Sequence, residues 1–371
     1  MKQAYQNIHS KYDEQLKFLS DLNKQHLSKI DKVIQNNLST NVALIDEIIQ
    51  YIISAGGKRL RPLILIYMAF AVLDKIQNYK SANKHICTSQ NPKISIKNQE
   101  DIYTLATVIE FIHTATLLHD DVVDESNLRR TKPTTNAVFG NAPAVLVGDF
   151  LYSRAFEMMV SINNLEIMRV LSKTTNIIAE GEVLQLINIG NLDINIETYL
   201  DVIYCKTAKL FESASELAIL INNIHDDIDI NSQEFRNHAK NYGKHLGCAF
   251  QLIDDWLDYA GNKDSMGKEI GDDLRQGKLT MPLIYLLENG TQHQKQAITN
   301  CVNKVINNTA TDADIQNLIN IVIDSDALDY TKNQAILEGE KAKNSLSFLD
   351  SNNEYTKILS FICDVSIQRI S

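Results

Sequence analysis

A chain of 371 residues, 44% of them hydrophobic, has ample apolar material for a large core, built as one domain or two. Its 14 glycines and 5 prolines are too few for a turn-rich β protein and favour long uninterrupted helices. The formal net charge of -10 excludes general nucleic-acid binding, because no global positive field draws in a phosphate polymer.

Residues 1–40 read as a polar N-terminal extension rich in Asn, Lys and Gln, one or two helices with frayed ends and no apolar signal-peptide core. Helical spacing of apolar residues starts at Val42 and runs to Ile53. The stretch from Ser54 to Pro62 breaks it. Gly56 and Gly57 permit a sharp turn, and Pro62 suits the first turn of a new helix. Leu63 to Leu73 is the longest apolar run, too short to span a bilayer, and reads as a buried helix. Residues 75–100 are polar without a clear period and read as a long surface connection. Ile102–Val123 is helical again, and Asn127–Pro143 reads as a loop with a short helix. Long helical patterns then cover Ala144–Ile189, Ile196–Ile224 and Phe235–Tyr259. Gly261–Lys278 is a glycine- and charge-rich loop, and the chain from Met281 onward is helical. No segment carries a convincing strand period, so the expected fold class is all-α. The cysteines (Cys87, Cys205, Cys248, Cys301, Cys363) are scattered without a CxxC pair. That supports neither a disulfide framework nor a zinc knuckle and suits a reducing cytoplasm.

Two aspartate quintets stand out: Asp120-Asp121-Val122-Val123-Asp124 and Asp254-Asp255-Trp256-Leu257-Asp258. Acids at i and i+4 stack on one helix face, so each quintet aims at least two carboxylates at one point. Clustered negative charge in apolar helices needs cations, and carboxylates that meet water and phosphate are typical Mg²⁺ ligands. One such quintet occurs by chance on a solvated face; two flanked by apolar residues fit that explanation poorly. Two facing one cavity would grip a diphosphate through Mg²⁺.

The other candidates are weaker singly. Lys58, Arg59 and Arg61 lie in a glycine turn before a helix, a good anion site, although for the tripeptide alone a solvated basic loop is the commoner reading. Arg129-Arg130 follows the first quintet and balances local charge or meets phosphate. His113 returns to the face of Asp120 seven residues later, as a packing residue or a diphosphate donor. His119-Asp120 lacks the further ligands of a metal phosphohydrolase. Lys206-Thr207 is a polar pair in mid-helix, and Gln251 shares a face with Asp254.

Taken in order, Gly56 to Pro62, His113 to Asp124, Arg129-Arg130, Gly148-Asp149, Ala179 to Glu182, Lys206-Thr207 and Gln251 to Asp255 resemble the trans-isoprenyl diphosphate synthases. The likeness runs from about Ile45 to the C-terminus. It implies a single domain over residues 1–371, a bundle of long helices around a deep central cavity (the isoprenoid synthase fold), and a homodimer. It implies head-to-tail addition of isopentenyl diphosphate to an allylic diphosphate, giving a membrane-directed polyprenyl diphosphate for a quinone side chain. Transferred by position, Asp120, Asp124, Asp254, Asp255 and Asp258 bind Mg²⁺, with Asp121 supporting. Lys58, Arg61, His113 and Arg130 bind isopentenyl diphosphate. Arg129, Lys206, Thr207 and Gln251 contact the allylic substrate, and Lys268 grips its diphosphate.

Above Asp120, the small Thr116 and Ala115 leave a path past Ile112 and Val108 where an aromatic would close it. A long product of octaprenyl length is expected, from a farnesyl diphosphate primer. The family often has Gly-Lys-Pro after the second quintet, where this chain has Gly277-Lys278-Leu279. A class I terpene cyclase would lack the basic glycine turn, a non-catalytic partner subunit usually loses metal aspartates, and a structural bundle leaves the paired acids unexplained.

Overall fold

The computed structural model describes residues 23–54, 56–82, 96–129, 132–222, 232–261 and 270–368. Helices α1 (23–37), α2 (Ala43–Ser54), α3 (Leu60–Ala82) and α4 (Ile96–Val123) come first. A two-residue ribbon, β1 (Leu128–Arg129) with β2 (Lys132–Pro133), pairs antiparallel in the register Leu128 to Pro133. Then follow α5 (Thr135–Phe139), α6 (Asn141–Ile162), α7 (Leu165–Ile187) and α8 (Ile196–Ile203). A π-helical turn (Tyr204–Ala208) leads into α9 (Lys209–Leu220) and α10 (Ser232–Ala260). The C-terminal part holds α11 (Asp272–Arg275), α12 (Met281–Asn289), α13 (Gln292–Ile306), α14 (Asp312–Ile323), α15 (Ala327–Asn344) and α16 (Glu354–Gln368). The all-α expectation holds, the ribbon being its small exception.

Ile64, Leu65, Ile66, Tyr67, Met68 and Ala69 are all buried, so this stretch of α3 is covered on every side, as an apolar run without a polar face must be. It packs on α4 and α9; α4 lies along α6, and α10 lies along α9 and α15. One apolar cluster unites α3, α4, α6, α7, α9 and α16, and a second gathers α11 to α15 with α8 and the end of α10. No helix among the described residues is long and apolar enough to cross a membrane.

Four sequence readings change. Residues 75–82 continue α3 and 96–100 begin α4, so the connection read over 75–100 is shorter; 83–95 lie outside the described residues. Within the supposed N-terminal extension, α1 joins the core through Ile30 and Ile34, four apart on one face, and Leu38 follows just past its end. His26 is buried beside Tyr67, Phe70 and Tyr103, its Nδ1 2.7 Å from the Tyr103 hydroxyl. The pattern read through Ala144–Ile189 is two helices. Asn163 takes a left-handed conformation (φ 55°), and the Asn164 side chain accepts from the amides of Glu166 and Ile167 as the N-cap of α7. Lastly, the loop read over Gly261–Lys278 contains α11, which begins after the left-handed Gly271. The described thiols Cys205, Cys248, Cys301 and Cys363 are free.

Candidate active site

The first quintet closes α4. Asp124 lies just past its last helical residue, and its amide still donates to the Asp120 carbonyl at 2.8 Å, so the two carboxylates keep their one-turn stacking. Two lysines reach them from elsewhere in the chain. Lys206 Nζ stands 3.7 Å from Asp120 Oδ2, and Lys278 Nζ stands 2.7 Å from Asp124 Oδ2. Lys206 also donates to Glu182 Oε2 (2.6 Å) and Gln185 Oε1 (2.7 Å) on α7. Burial raises the Asp120 carboxyl above its ordinary range; Lys206 opposes this and Asp124 adds to it. Burial, then the charge of Asp120, pushes Glu182 up to about 7. For Lys206 burial works against the charge, yet Asp120 and Glu182 outweigh it and hold the ammonium firmly protonated.

Asp121 points elsewhere. It is buried and takes a forked ion pair from Arg129, with Nε at 2.9 Å and Nη2 at 2.7 Å from Oδ1. This pair fastens the β1–β2 ribbon to the end of α4. His119 turns toward α6, with Nε2 3.2 Å from the Val145 carbonyl and 3.4 Å from Asp149.

Lys206 and Thr207 sit in the π turn, where one extra residue per turn interrupts the helix. Two glycines allow its neighbours to close on it. A Cβ on Gly181 would lie 2.8 Å from the Lys206 amide nitrogen, and one on Gly247 would lie 2.5 Å from Ala208 Cα. From this turn the Thr207 hydroxyl donates to Gln251 Oε1 (2.9 Å), and Gln251 Nε2 donates to Asp255 Oδ1 (2.9 Å). Tyr199 of α8 donates to the other Asp255 oxygen. Asp255 is 1% exposed, and burial, reinforced by Asp273, lifts its carboxyl to about 7 against those hydrogen bonds. Gln251 thus bonds the acid four residues on, although the sequence also sets it on the face of Asp254. Asp254 is partly exposed, whereas Asp258 is buried and its Oδ1 accepts from the Asp272 amide (3.1 Å) at the start of α11. The two quintets are therefore joined by Lys206-Thr207, while Lys278 meets the first of them through Asp124.

The basic turn lies beyond the N-terminal end of α3. Arg61 Nη1 is 3.0 Å from His113 Nε2, and its guanidinium lies 4.3 Å from the centre of the Phe211 ring. Arg59, with a positive φ of 45°, pairs with Asp31 of α1, while Lys58 is exposed. Along α4, Ile112 and Ala115 are fully buried; Thr116 is half-buried, its hydroxyl bonded to the His113 carbonyl (2.8 Å). Arg130 and Lys268 lie outside the described residues. Gln185, Tyr199 and Lys278 joined the site only through folding: the first two carry no sequence signal, and Lys278 was legible only as a residue of the departing Gly-Lys-Leu.

The donors at Asp120, Asp124 and Glu182 are all carboxylate oxygens whose burial and mutual repulsion leave room for more positive charge, which fits a hard divalent cation. Among the described residues no His, Cys, Asp and Glu side chains converge as a ready-made metal cage. An ion held by one or two carboxylates, with phosphate and water completing its shell, needs none.

A family profile described as polyprenyl synthetase matches residues 42–322. The octaprenyl diphosphate synthase of Escherichia coli (strain K12) is 39% identical over 358 residues, covering 95% of this chain and 99% of that protein. The all-trans-nonaprenyl-diphosphate synthase (geranyl-diphosphate specific) of Rhodobacter capsulatus is 38% identical, covering 93% and 95%. The crystal structure of a polyprenyl synthase from Caulobacter crescentus CB15, complexed with calcium and isoprenyl diphosphate, superimposes with a TM-score of 0.80 at 34% identity, covering 95% and 97%.

Proposed function

Since the chain belongs to the polyprenyl synthetase family and is a trans-prenyltransferase making long-chain polyprenyl diphosphates, we propose that it is an Mg²⁺-dependent enzyme extending farnesyl diphosphate to octaprenyl length. The observation that carries this reading is the Lys206-Thr207 turn, which touches the first quintet through Lys206 and the second through Thr207 and Gln251.

In this reading Asp120, Asp124 and Asp254 hold the Mg²⁺, which supplies positive charge to the departing diphosphate. Lys206 and Lys278 add fixed cationic charge where that negative charge develops. Breaking the allylic C–O bond leaves a cation, which the oxygens of Thr207 and Gln251 stabilise without bonding to it. Arg61, His113 and Lys58 hold isopentenyl diphosphate so that its double bond attacks that cation. The proton lost afterwards goes to the released diphosphate, so the protein supplies no nucleophile. In this reading the apolar side chains of α3 and α4 keep water from the cation.

The nonaprenyl relative favours a second reading, a product one unit longer. We further propose a homodimer in the cytoplasm, supported by an exposed apolar stripe on α6 formed by Leu146, Phe156 and Val160. The test is an assay with labelled isopentenyl diphosphate and farnesyl diphosphate, with and without Mg²⁺, followed by chromatography of the dephosphorylated product. A Mg²⁺-dependent C40 alcohol is expected. Cyclised product, or no extension, would overturn the proposal.

A further inference from the structure

Asp254 and Asp255 are neighbours on α10, so their side chains leave the helix about 100° apart and cannot face the same ligand. Asp254 is partly exposed; Asp255 is 1% exposed, with both oxygens engaged, one by Gln251 Nε2 and the other by the Tyr199 hydroxyl. Tyr199 is itself 4% exposed on α8. We propose that Asp255 is a positioning residue rather than a metal ligand, and that Tyr199 and Asp255 together fix which way Gln251 and Thr207 present their oxygens. This rests on the reading of Thr207 and Gln251 as the groups that face the allylic cation.

The argument is one of donors and acceptors. Ionised, Asp255 only accepts, and with the Tyr199 hydroxyl donating to one of its oxygens, the Gln251 atom at the other is the amide nitrogen. The amide oxygen then faces Thr207, whose hydroxyl spends its one hydrogen on it. The lone pairs left over on Thr207 and Gln251 are acceptors, which a cation needs. A flipped Gln251 would present N–H groups to the cation instead and repel it. Tyr199 guards against the flip by pinning the second oxygen of Asp255, which stops the carboxylate from rotating away.

The test counts bound Mn²⁺ by electron paramagnetic resonance, on the full-length protein with inorganic pyrophosphate, for wild type, Asp254→Asn, Asp255→Asn and Tyr199→Phe. Asp255→Asn and Tyr199→Phe are expected to bind Mn²⁺ within about twofold of wild type, while Asp254→Asn loses a site. In the elongation assay Tyr199→Phe lowers kcat by about tenfold with KM for both diphosphates nearly unchanged. Should Asp255→Asn fail to fold, as a thermal melt would reveal, Tyr199→Phe carries the same comparison. The proposal is overturned if Asp255→Asn loses Mn²⁺ as Asp254→Asn does, or if Tyr199→Phe keeps the wild-type kcat. A wild type that elongates nothing would refute the functional reading, and the Mn²⁺ count would still decide the role of Asp255.

Discussion

Ile112, Thr116 and Asp120 recur every four residues along one face of α4, so the side chain at Thr116 stands one turn above the Asp120 carboxylate. A phenol ring there adds bulk along the path proposed for the growing chain. Thr116→Tyr is expected to shorten the product by several units while leaving the first condensation active, as chromatography of the alcohols would record. Unchanged lengths would remove Thr116 from the path. His26 makes a separate prediction. Burial, assisted by Lys29, lowers its pKa from 6.5 to about 4, so the folded protein holds it neutral where the unfolded chain protonates it. The stability this contributes is complete above about 6.5 and is lost as pH falls toward 4. In His26→Gln the melting temperature is expected to fall less steeply across that window than in wild type. At this scale the glycine turn and Lys206-Thr207 gain weight only from their order along the chain, while the quintets, whose chemistry is contiguous, announce themselves within a few residues. Lys278, Gln185 and Tyr199 do not, since each acquires its partner from another helix and looks like any surface residue beforehand.

Among the elements, the π turn decides the direction of Lys206 and Thr207. Its extra residue leaves no mark on hydrophobic periodicity, which is why the pair read simply as mid-helix. The close approach of α10 through Gly247 is what seats the turn. Gly247→Ala would put a methyl against backbone that cannot swing aside. The expected result is a folded helical protein by circular dichroism with elongation reduced by about a hundredfold, because a displacement near an ångström is costly at a reacting centre. Full activity would show that the turn tolerates movement. The readings that needed correction fail for related reasons. Residues 75–79 are polar on their solvent side, so composition hid the end of α3, and the polar face of α1 hid that its apolar face joins the core. The break at Asn163-Asn164 was hidden because two asparagines in a long helical pattern look like surface decoration until one is seen as a cap.

For the whole molecule, the apolar stripe of Leu146, Phe156 and Val160 on α6 stands in solvent in the isolated chain. Light scattering on the purified protein is expected to give twice the chain mass, and Leu146→Lys to shift that toward a single chain. A monomeric wild type would leave the stripe without a partner copy.

The lysines that meet Asp120 and Asp124 have a consequence for order of arrival. A metal ion coming alone must displace an ammonium from each acid, and a pyrophosphate coming alone must draw those ammoniums away and leave two carboxylates bare. Arriving as a pair, they simply trade: the ion takes the acids and the freed lysines turn to the anion. Such an exchange makes each guest strengthen the other by the same factor. Calorimetric titrations are expected to show feeble heats for Mg²⁺ or pyrophosphate separately and tight uptake of both together; equal affinities in either order would mean that the lysines play no part in the exchange.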